Sequence, residues 1–303
     1  MPDKKLGNVL IVDDEAIIRG MLEIELEDRF TVHTAENADR ALEILAAGNI
    51  DLIISDINMP GMKGYDLLRI ARQKYPHVKS ALLTAYNTDD YIRLARENDI
   101  SNIIAKSTPF NFDEFSAIVY SLVTESIFGL ERYMLPDYRI LAEYVVRSSS
   151  QIGAVEENII SAISRFYTPE PFVQILLEEL ITNAVYHAPV DQSGKEKYEK
   201  HSRVDLQEHE AVRATLGMDS EKYGVSVMDT SGKLTKEQVL FRIDRHVHAE
   251  GVLDESGRGL HMSRLYADRL IINIKKNEST EVIFINYIDK KYKGYKPLYI
   301  NEL

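Results

Sequence analysis

The first third of the chain alternates short β-branched runs with amphipathic stretches. The runs fall at 9–12, 31–34, 51–55, 80–83 and 102–105, and helical periodicity fills the gaps, as at 38–47 and 67–74. Apolar runs without strict alternation are the pattern of strands buried on both faces. Strand–helix alternation then predicts a parallel sheet, doubly wound through right-handed crossovers.

Beyond residue 110 the pattern changes. A helix is predicted over 113–134, broken by Leu135-Pro136, followed by a strand at 141–146. Ser148-Ser149-Ser150 caps a helix over 151–164. Thr168-Pro169-Glu170 offers a hydroxyl cap, a first-turn proline and an early acid, and opens a helix running to His187 before Pro189. Residues 191–202 are polar and read as a loop. Strands are predicted at 212–216, 224–228, 270–274 and 281–287, with a glycine-punctuated region and a helix over 260–267 between the second and third. The tyrosine-rich tail 291–303 receives no element. The resulting division is 1–125, a connector at 126–140, 141–290 and the tail 291–303.

Length and composition narrow the function. At 303 residues, 45% hydrophobic and 28% charged, the chain suffices for two soluble domains, each with its own core. No apolar run reaches the length of a membrane span, and the first residues carry no signal-type apolar region. The absence of cysteine excludes disulfides, thiolate metal sites and cysteine nucleophiles and fits a cytoplasmic protein. A net charge of −12 without a basic cluster argues against a direct DNA-binding output.

In a doubly wound sheet, chemistry gathers at the carboxyl ends of the strands. Those ends carry Asp13, Asp14, Asp56, Thr84 and Lys106. Packed carboxylates repel one another unless a hard cation such as Mg²⁺ neutralises them. Asp56 could then attack a phosphoryl group, with Thr84 and Lys106 cradling the transferred oxygens. Ile-Val-Asp13-Asp14, Ser55-Asp56-Ile-Asn58-Met-Pro60-Gly-Met-Lys-Gly64, Leu-Thr84-Ala85 and Ala-Lys106 resemble the response-regulator receiver family over roughly 5–125. The resemblance implies a (βα)5 flavodoxin-like fold with Asp56 as phosphoacceptor. It makes Asp13, Asp14, Asp56 and the Asn58 backbone the Mg²⁺ ligands, and Thr84 and Lys106 the switch residues. It also implies a cognate sensor histidine kinase as phosphodonor. Two positions depart from the family: Ile103 stands where an aromatic is usual, and the proline expected after the lysine is displaced to Pro109.

A second constellation lies downstream. Glu179, Asn183 and His187 recur at four-residue spacing on one helical face. Val-Met-Asp229-Thr-Ser-Gly232 follows an apolar strand, and Gly257-Arg258-Gly259-Leu260 opens a helix whose N-terminus suits phosphate. In this order the motifs resemble the GHKL (Bergerat) ATP-binding fold, an α+β two-layer sandwich, over roughly 140–288. That resemblance implies ATP and Mg²⁺ as cofactors. Asn183 would hold the metal, Asp229 would accept from the adenine amino group, and Gly232 would leave room for the base. Gly257, Arg258 and Gly259 would form the phosphate lid, His187 would line the site and Thr280 would support the adenine. Glu-Leu-Ile-Thr-Asn183-Ala-Val-Tyr-His187 is most similar to anti-sigma serine kinases, which implies Glu179 as catalytic base. Ser231 and Lys233 stand where such proteins usually carry glycine.

No histidine occurs between Phe110 and Tyr186, so no dimerisation helix ahead of the ATP motifs offers a phosphoacceptor histidine. The expected function is a response regulator whose Asp56 phosphorylation controls a Ser/Thr kinase acting on an anti-anti-sigma-like partner, with a sigma-factor-like target and a homodimer also implied. The alternative is a non-catalytic, nucleotide-dependent protein-binding module.

Overall fold

The computed structural model describes residues 4–191, 193–200, 202–248 and 258–303, without the Arg258 side chain. The chain divides into two compact units, Met1–Ile127 with Tyr292–Tyr299, and Phe128–Lys291 with Ile300–Leu303. Among the described residues no helix is long and apolar enough to cross a membrane.

The first unit runs β1 (Asn8–Val12), α1 (Ala16–Leu26), β2 (Thr31–Ala35), α2 (Ala38–Ala47), β3 (Leu52–Asp56), α3 (Gly64–Lys74), β4 (Lys79–Thr84), α4 (Ile92–Glu97), β5 (Asn102–Ala105) and α5 (Phe112–Thr124). The strands pair in parallel in the order β2-β1-β3-β4-β5. Helix α1 meets α5, and α2 meets α3, so both faces of the sheet are covered. Val9, Leu10, Ile11, Val12, Ile53 and Ile54 are accordingly sealed from solvent. Strand order reverses between β1 and β3, which opens a crevice at their carboxyl ends.

The helix expected over 113–134 stops at Thr124. Glu125 takes a left-handed conformation at φ 59°. Lys79 Nζ donates to Leu122 O at 2.9 Å and reaches Glu125 Oε1 at 2.7 Å, satisfying a last-turn carbonyl that would otherwise call for another turn.

The second unit contains β6 (Arg139–Val146), α6 (Ile152–Ser164), α7 (Phe172–Thr182), β7 (Val212–Met218), β8 (Lys222–Asp229), α8 (Lys236–Val247), α9 (Arg258–Tyr266), β9 (Arg269–Lys275) and β10 (Ser279–Tyr287). These strands pair antiparallel in the order β9-β10-β8-β7-β6. Val225 and Val227 of β8 and Ala214 and Leu216 of β7 point to one face, where α6 and α7 cover them with Ile159, Ile163, Leu176 and Leu180. The helix expected to reach His187 is α7 followed by a π turn at Asn183–His187, with Ala188 N donating to Asn183 O at 3.1 Å. Such wider turns are frequent at functional sites.

The C-terminal segment, which received no element from the sequence, forms β11 (Leu298–Glu302). In the first unit, Leu298 pairs with Ile103 and Tyr299 with Asn102, antiparallel to β5. In the second unit, Leu303 N donates to Ile274 O at 2.9 Å and Leu303 O accepts from Lys276 N at 3.2 Å, the spacing of a parallel pair beside β9.

Gly64 is fixed by space. A Cβ there would meet the Asp56 carbonyl oxygen at 2.0 Å and Ser55 Oγ at 2.9 Å. Gly64→Ala is expected to lower thermal stability by roughly 1–3 kcal/mol through overpacking, read as a fall in Tm. Glu156, buried on α6, has its carboxyl pushed up to about 7 by burial and by the neighbouring Glu178 and Glu157. Since its folded value exceeds the unfolded one, this group's contribution is fully present below the unfolded carboxylate range and is lost as pH rises through about 7. Glu156→Gln should therefore gain stability over the wild type at pH 8 relative to pH 5, measured by urea unfolding at both.

Candidate functional site

The carboxyl ends of β1 and β3 bring two acids together around one cation. Lys106, directly after β5, places Nζ 2.8 Å from Asp13 Oδ2 and 2.7 Å from Asp56 Oδ1. Asp13 is buried completely and Asp56 is 8% exposed, so neither charge is well screened by water. Burial pushes the Asp13 carboxyl above its ordinary range, and the Lys106 hydrogen bond opposes that. Burial alone would lower the Lys106 ammonium, but its bonds to Asp13 and Asp56 outweigh it and raise the value.

The remaining predicted residues frame this cluster. Asn58 N donates to Asp56 Oδ2 at 2.7 Å, fixing the carboxylate that would attack. Thr84 ends β4 fully buried, and its hydroxyl accepts from Tyr86 N at 3.0 Å. Its carbonyl accepts from Lys106 N at 2.7 Å, tying the β4 and β5 ends together. Asp14 follows Asp13 at the exposed rim. The peptide bond that is cis lies at Thr108-Pro109, two residues beyond Lys106.

Oxygen donors of this kind suit a hard divalent cation. The two innermost carboxylates face Lys106 Nζ, and among the described residues no three acid or imidazole side chains are grouped to hold a metal. Two contributors had no sequence signal. Arg19 Nη1 donates to Asp13 O at 2.6 Å, and Asn58 Nδ2 donates to the Tyr91 hydroxyl at 3.0 Å.

The second constellation surrounds a cavity of ≈ 240 Å³ in the C-terminal unit. Asn183 and His187 line it from the π turn, Asp229 from the end of β8 and Thr280 from the start of β10. Asp229 and Thr280 are directly opposite in the β8–β10 register. Burial raises the Asp229 carboxyl, while Ser231 opposes this through its N–H at 2.8 Å and its hydroxyl at 2.6 Å. The Thr280 hydroxyl is buried without a hydrogen-bond partner in the protein. His187 Nδ1 sits 3.0 Å from Glu196 Oε1.

Two of the predicted glycines also permit close approaches. Gly232, at φ 55°, lies against the β9–β10 turn, where a Cβ would meet Lys275 O at 2.2 Å. Its conformation serves that turn, and its backbone also hydrogen-bonds Asp229 at the cavity. Gly259 lets α9 approach α7, since a Cβ there would fall 1.5 Å from Glu179 Oε1. Glu179 accepts from Asn183 Nδ2 at 2.7 Å. Gly257 lies outside the described residues, as does the Arg258 side chain. Gln238 and Arg242 of α8 also line the cavity, and were missed because the helix carrying them was not predicted.

Comparison with known proteins bears on the first site. The model of the response regulator receiver domain matches residues 9–120. The chemotaxis protein CheY of Pseudomonas aeruginosa is 36% identical over 102 residues, which cover 32% of this chain and 82% of CheY. The chain belongs to the response-regulator receiver family. Asp56, Lys106 and Thr84 thus lie in a receiver domain. The DNA-binding transcriptional regulator NtrC of Escherichia coli is 37% identical over 114 residues, 37% of this chain. That match spans 24% of NtrC, so this chain covers about a quarter of the length of that relative. Among solved structures, the response regulator TrrA of Thermotoga maritima, in complex with Mg²⁺–BeF, is 39% identical over 38% of this chain and 98% of that one, with a TM-score of 0.35.

Lys106 offsets the repulsion between two receiver carboxylates. Lys106→Met should lower stability by about 2 kcal/mol, the order of a charge-assisted hydrogen bond left unmade. Millimolar Mg²⁺ should raise the Tm of this variant more than that of the wild type, measured by calorimetry.

Proposed function

We propose that this protein is a phosphorylation-controlled regulator whose receiver governs a nucleotide-binding output unit. Asp56 supplies the nucleophilic oxygen and takes a phosphoryl group from a cognate sensor histidine kinase. Mg²⁺ would be drawn to Asp13, Asp14, Asp56 and the Asn58 backbone as Lys106 Nζ releases the two inner carboxylates, and would shield the phosphoryl charge. Lys106 holds Asp56 in place and is positioned to move onto a transferred phosphoryl oxygen, while Thr84 offers a hydroxyl from the adjoining strand end.

The output unit is read as a GHKL-type ATP-binding domain. One observation carries this reading: a part-buried acceptor and an unpartnered buried hydroxyl, Asp229 and Thr280, face each other across adjacent strands at the wall of one cavity. A buried hydroxyl without a protein partner costs free energy unless a ligand or water satisfies it. A planar base with an exocyclic amine matches that pair: the amine donates to Asp229, and a ring nitrogen or its bound water meets Thr280. Asn183, on the same wall, is placed for the metal that accompanies the phosphates.

Within this reading the finer activity is an anti-sigma-type serine/threonine kinase acting on an anti-anti-sigma-like partner, with Glu179 as base. A second reading, a nucleotide-dependent binding module without phosphotransfer, is favoured by the state of Glu179. Its carboxylate is engaged by Asn183 and lies under Gly259, away from the cavity wall.

Titration calorimetry of the full chain with ATP and Mg²⁺ tests the shared part. Asp229→Asn is expected to weaken binding by roughly tenfold or more, the order of one charge-assisted hydrogen bond, and Thr280→Val by a smaller factor. Equal affinity in the wild type and Asp229→Asn would overturn the nucleotide reading. With γ-labelled ATP and small candidate antagonist proteins, phosphotransfer that Glu179→Gln abolishes supports the kinase. Tight ATP binding without transfer supports the binding module.

A further inference from the structure

The segment Tyr292–Tyr299 is separated in sequence from the rest of the receiver by the whole second unit, yet it belongs to the receiver unit. It is held at several places. Lys293 exchanges two backbone hydrogen bonds with Thr108, 2.7 Å from Thr108 N and 3.0 Å to Thr108 O. Lys296 O accepts from the Thr88 hydroxyl. Leu298 and Tyr299 pair with β5 and are buried, at 3% and 1% exposure. The Tyr299 hydroxyl donates to Glu114 Oε1 at 2.6 Å on α5.

Two of these anchors sit on the loops that carry the residues about the phosphoacceptor. Thr108 is two residues beyond Lys106, whose ammonium bonds Asp56. Thr88 is four residues beyond Thr84, with the Thr84 hydroxyl already engaged by Tyr86 N between them. Gly294 also runs closely over Ser107, where a Cβ would lie 3.2 Å from Ser107 Cα. A phosphoryl group on Asp56 adds charge and three oxygens beside the cation that now divides itself between Asp13 and Asp56. Lys106 moving onto those oxygens, and the Thr84 hydroxyl turning toward them, displaces both loops at once.

We propose that Tyr292–Tyr299 is a strap that reads the phosphorylation state of Asp56, closed on β5 when the acceptor is bare and loosened when it is phosphorylated. The inference rests on Asp56 being the phosphoacceptor. The strap continues covalently into the second unit at Lys291 and at Ile300, so its loosening reaches that unit along the chain itself. The end of α5 at Thr124 leaves no continuous helix from 113 to 134 for this task. The surface it covers, the outer edge of β5 with the flanking part of α5, fits an extended peptide backbone, here supplied by the same chain.

Hydrogen exchange of the full chain, followed by mass spectrometry, tests the strap. Beryllofluoride with Mg²⁺ serves as the phosphoryl probe, and its occupancy is read independently from bound fluoride by ¹⁹F spectroscopy. Exchange of the 292–299 amides is expected to rise at least about tenfold on occupancy, as for local opening of one structural unit, with no change in Asp56→Asn. Thr88→Val and Tyr299→Phe, each removing one anchor, should raise exchange in the bare protein toward the occupied level. Full occupancy with unaltered exchange at 292–299 would overturn the strap while leaving the acceptor reading intact. Failure to bind the probe would overturn both.

Discussion

The receiver depends on one electrostatic arrangement, the ammonium of Lys106 held between the carboxylates of Asp13 and Asp56. Two buried acids at the ends of neighbouring strands would otherwise push those ends apart. The cation closes them, and through Lys106 N bonded to Thr84 O it also fixes the end of β4. The sheet therefore ends in a cluster in which one ammonium offsets part of the charge of two carboxylates. In the proposed reading, the contact that stabilises the fold is also the one that a change in charge at Asp56 would rearrange.

The second unit is arranged on a different principle. Its apolar face is closed by helices against β7 and β8, and Asp229 and Thr280 stand at the wall of the cavity. Asp229 is part-buried and satisfied by Ser231, whereas the Thr280 hydroxyl beside it is buried and unsatisfied within the protein. In the proposed reading that asymmetry is the imprint of a ligand.

Much of the first unit was legible because its strands are short apolar runs ending in chemistry-bearing residues. The predicted strand at 102–105 coincides with β5, and the predicted helix at 38–47 with α2. What the sequence hid lies in long-range contacts. The end of α5 depends on Lys79, more than forty residues earlier in the chain, and periodicity alone carries no trace of it. Helix α8 was missed although Thr235 and Gln238 form a capping box, a local signal obscured by the neighbouring glycines and lysines. Strand β11 pairs with β5 nearly two hundred residues away, and its tyrosine-rich sequence has no pattern of its own. At the first site Lys106 joins Asp13 and Asp56, and Thr84 O accepts from Lys106 N at the adjoining strand end. Gly232 and Gly259, by contrast, serve close backbone and side-chain approaches that no local motif distinguishes from ligand binding.

The receiver cluster has one direct test. The full chain is incubated with acetyl phosphate and Mg²⁺, and the product is followed by intact mass and peptide mapping. The account predicts one base- and hydroxylamine-labile phosphoryl group per chain, dependent on Mg²⁺ and located on the peptide containing Asp56. An unlabelled protein, or a phosphoryl group on any other residue, would contradict it.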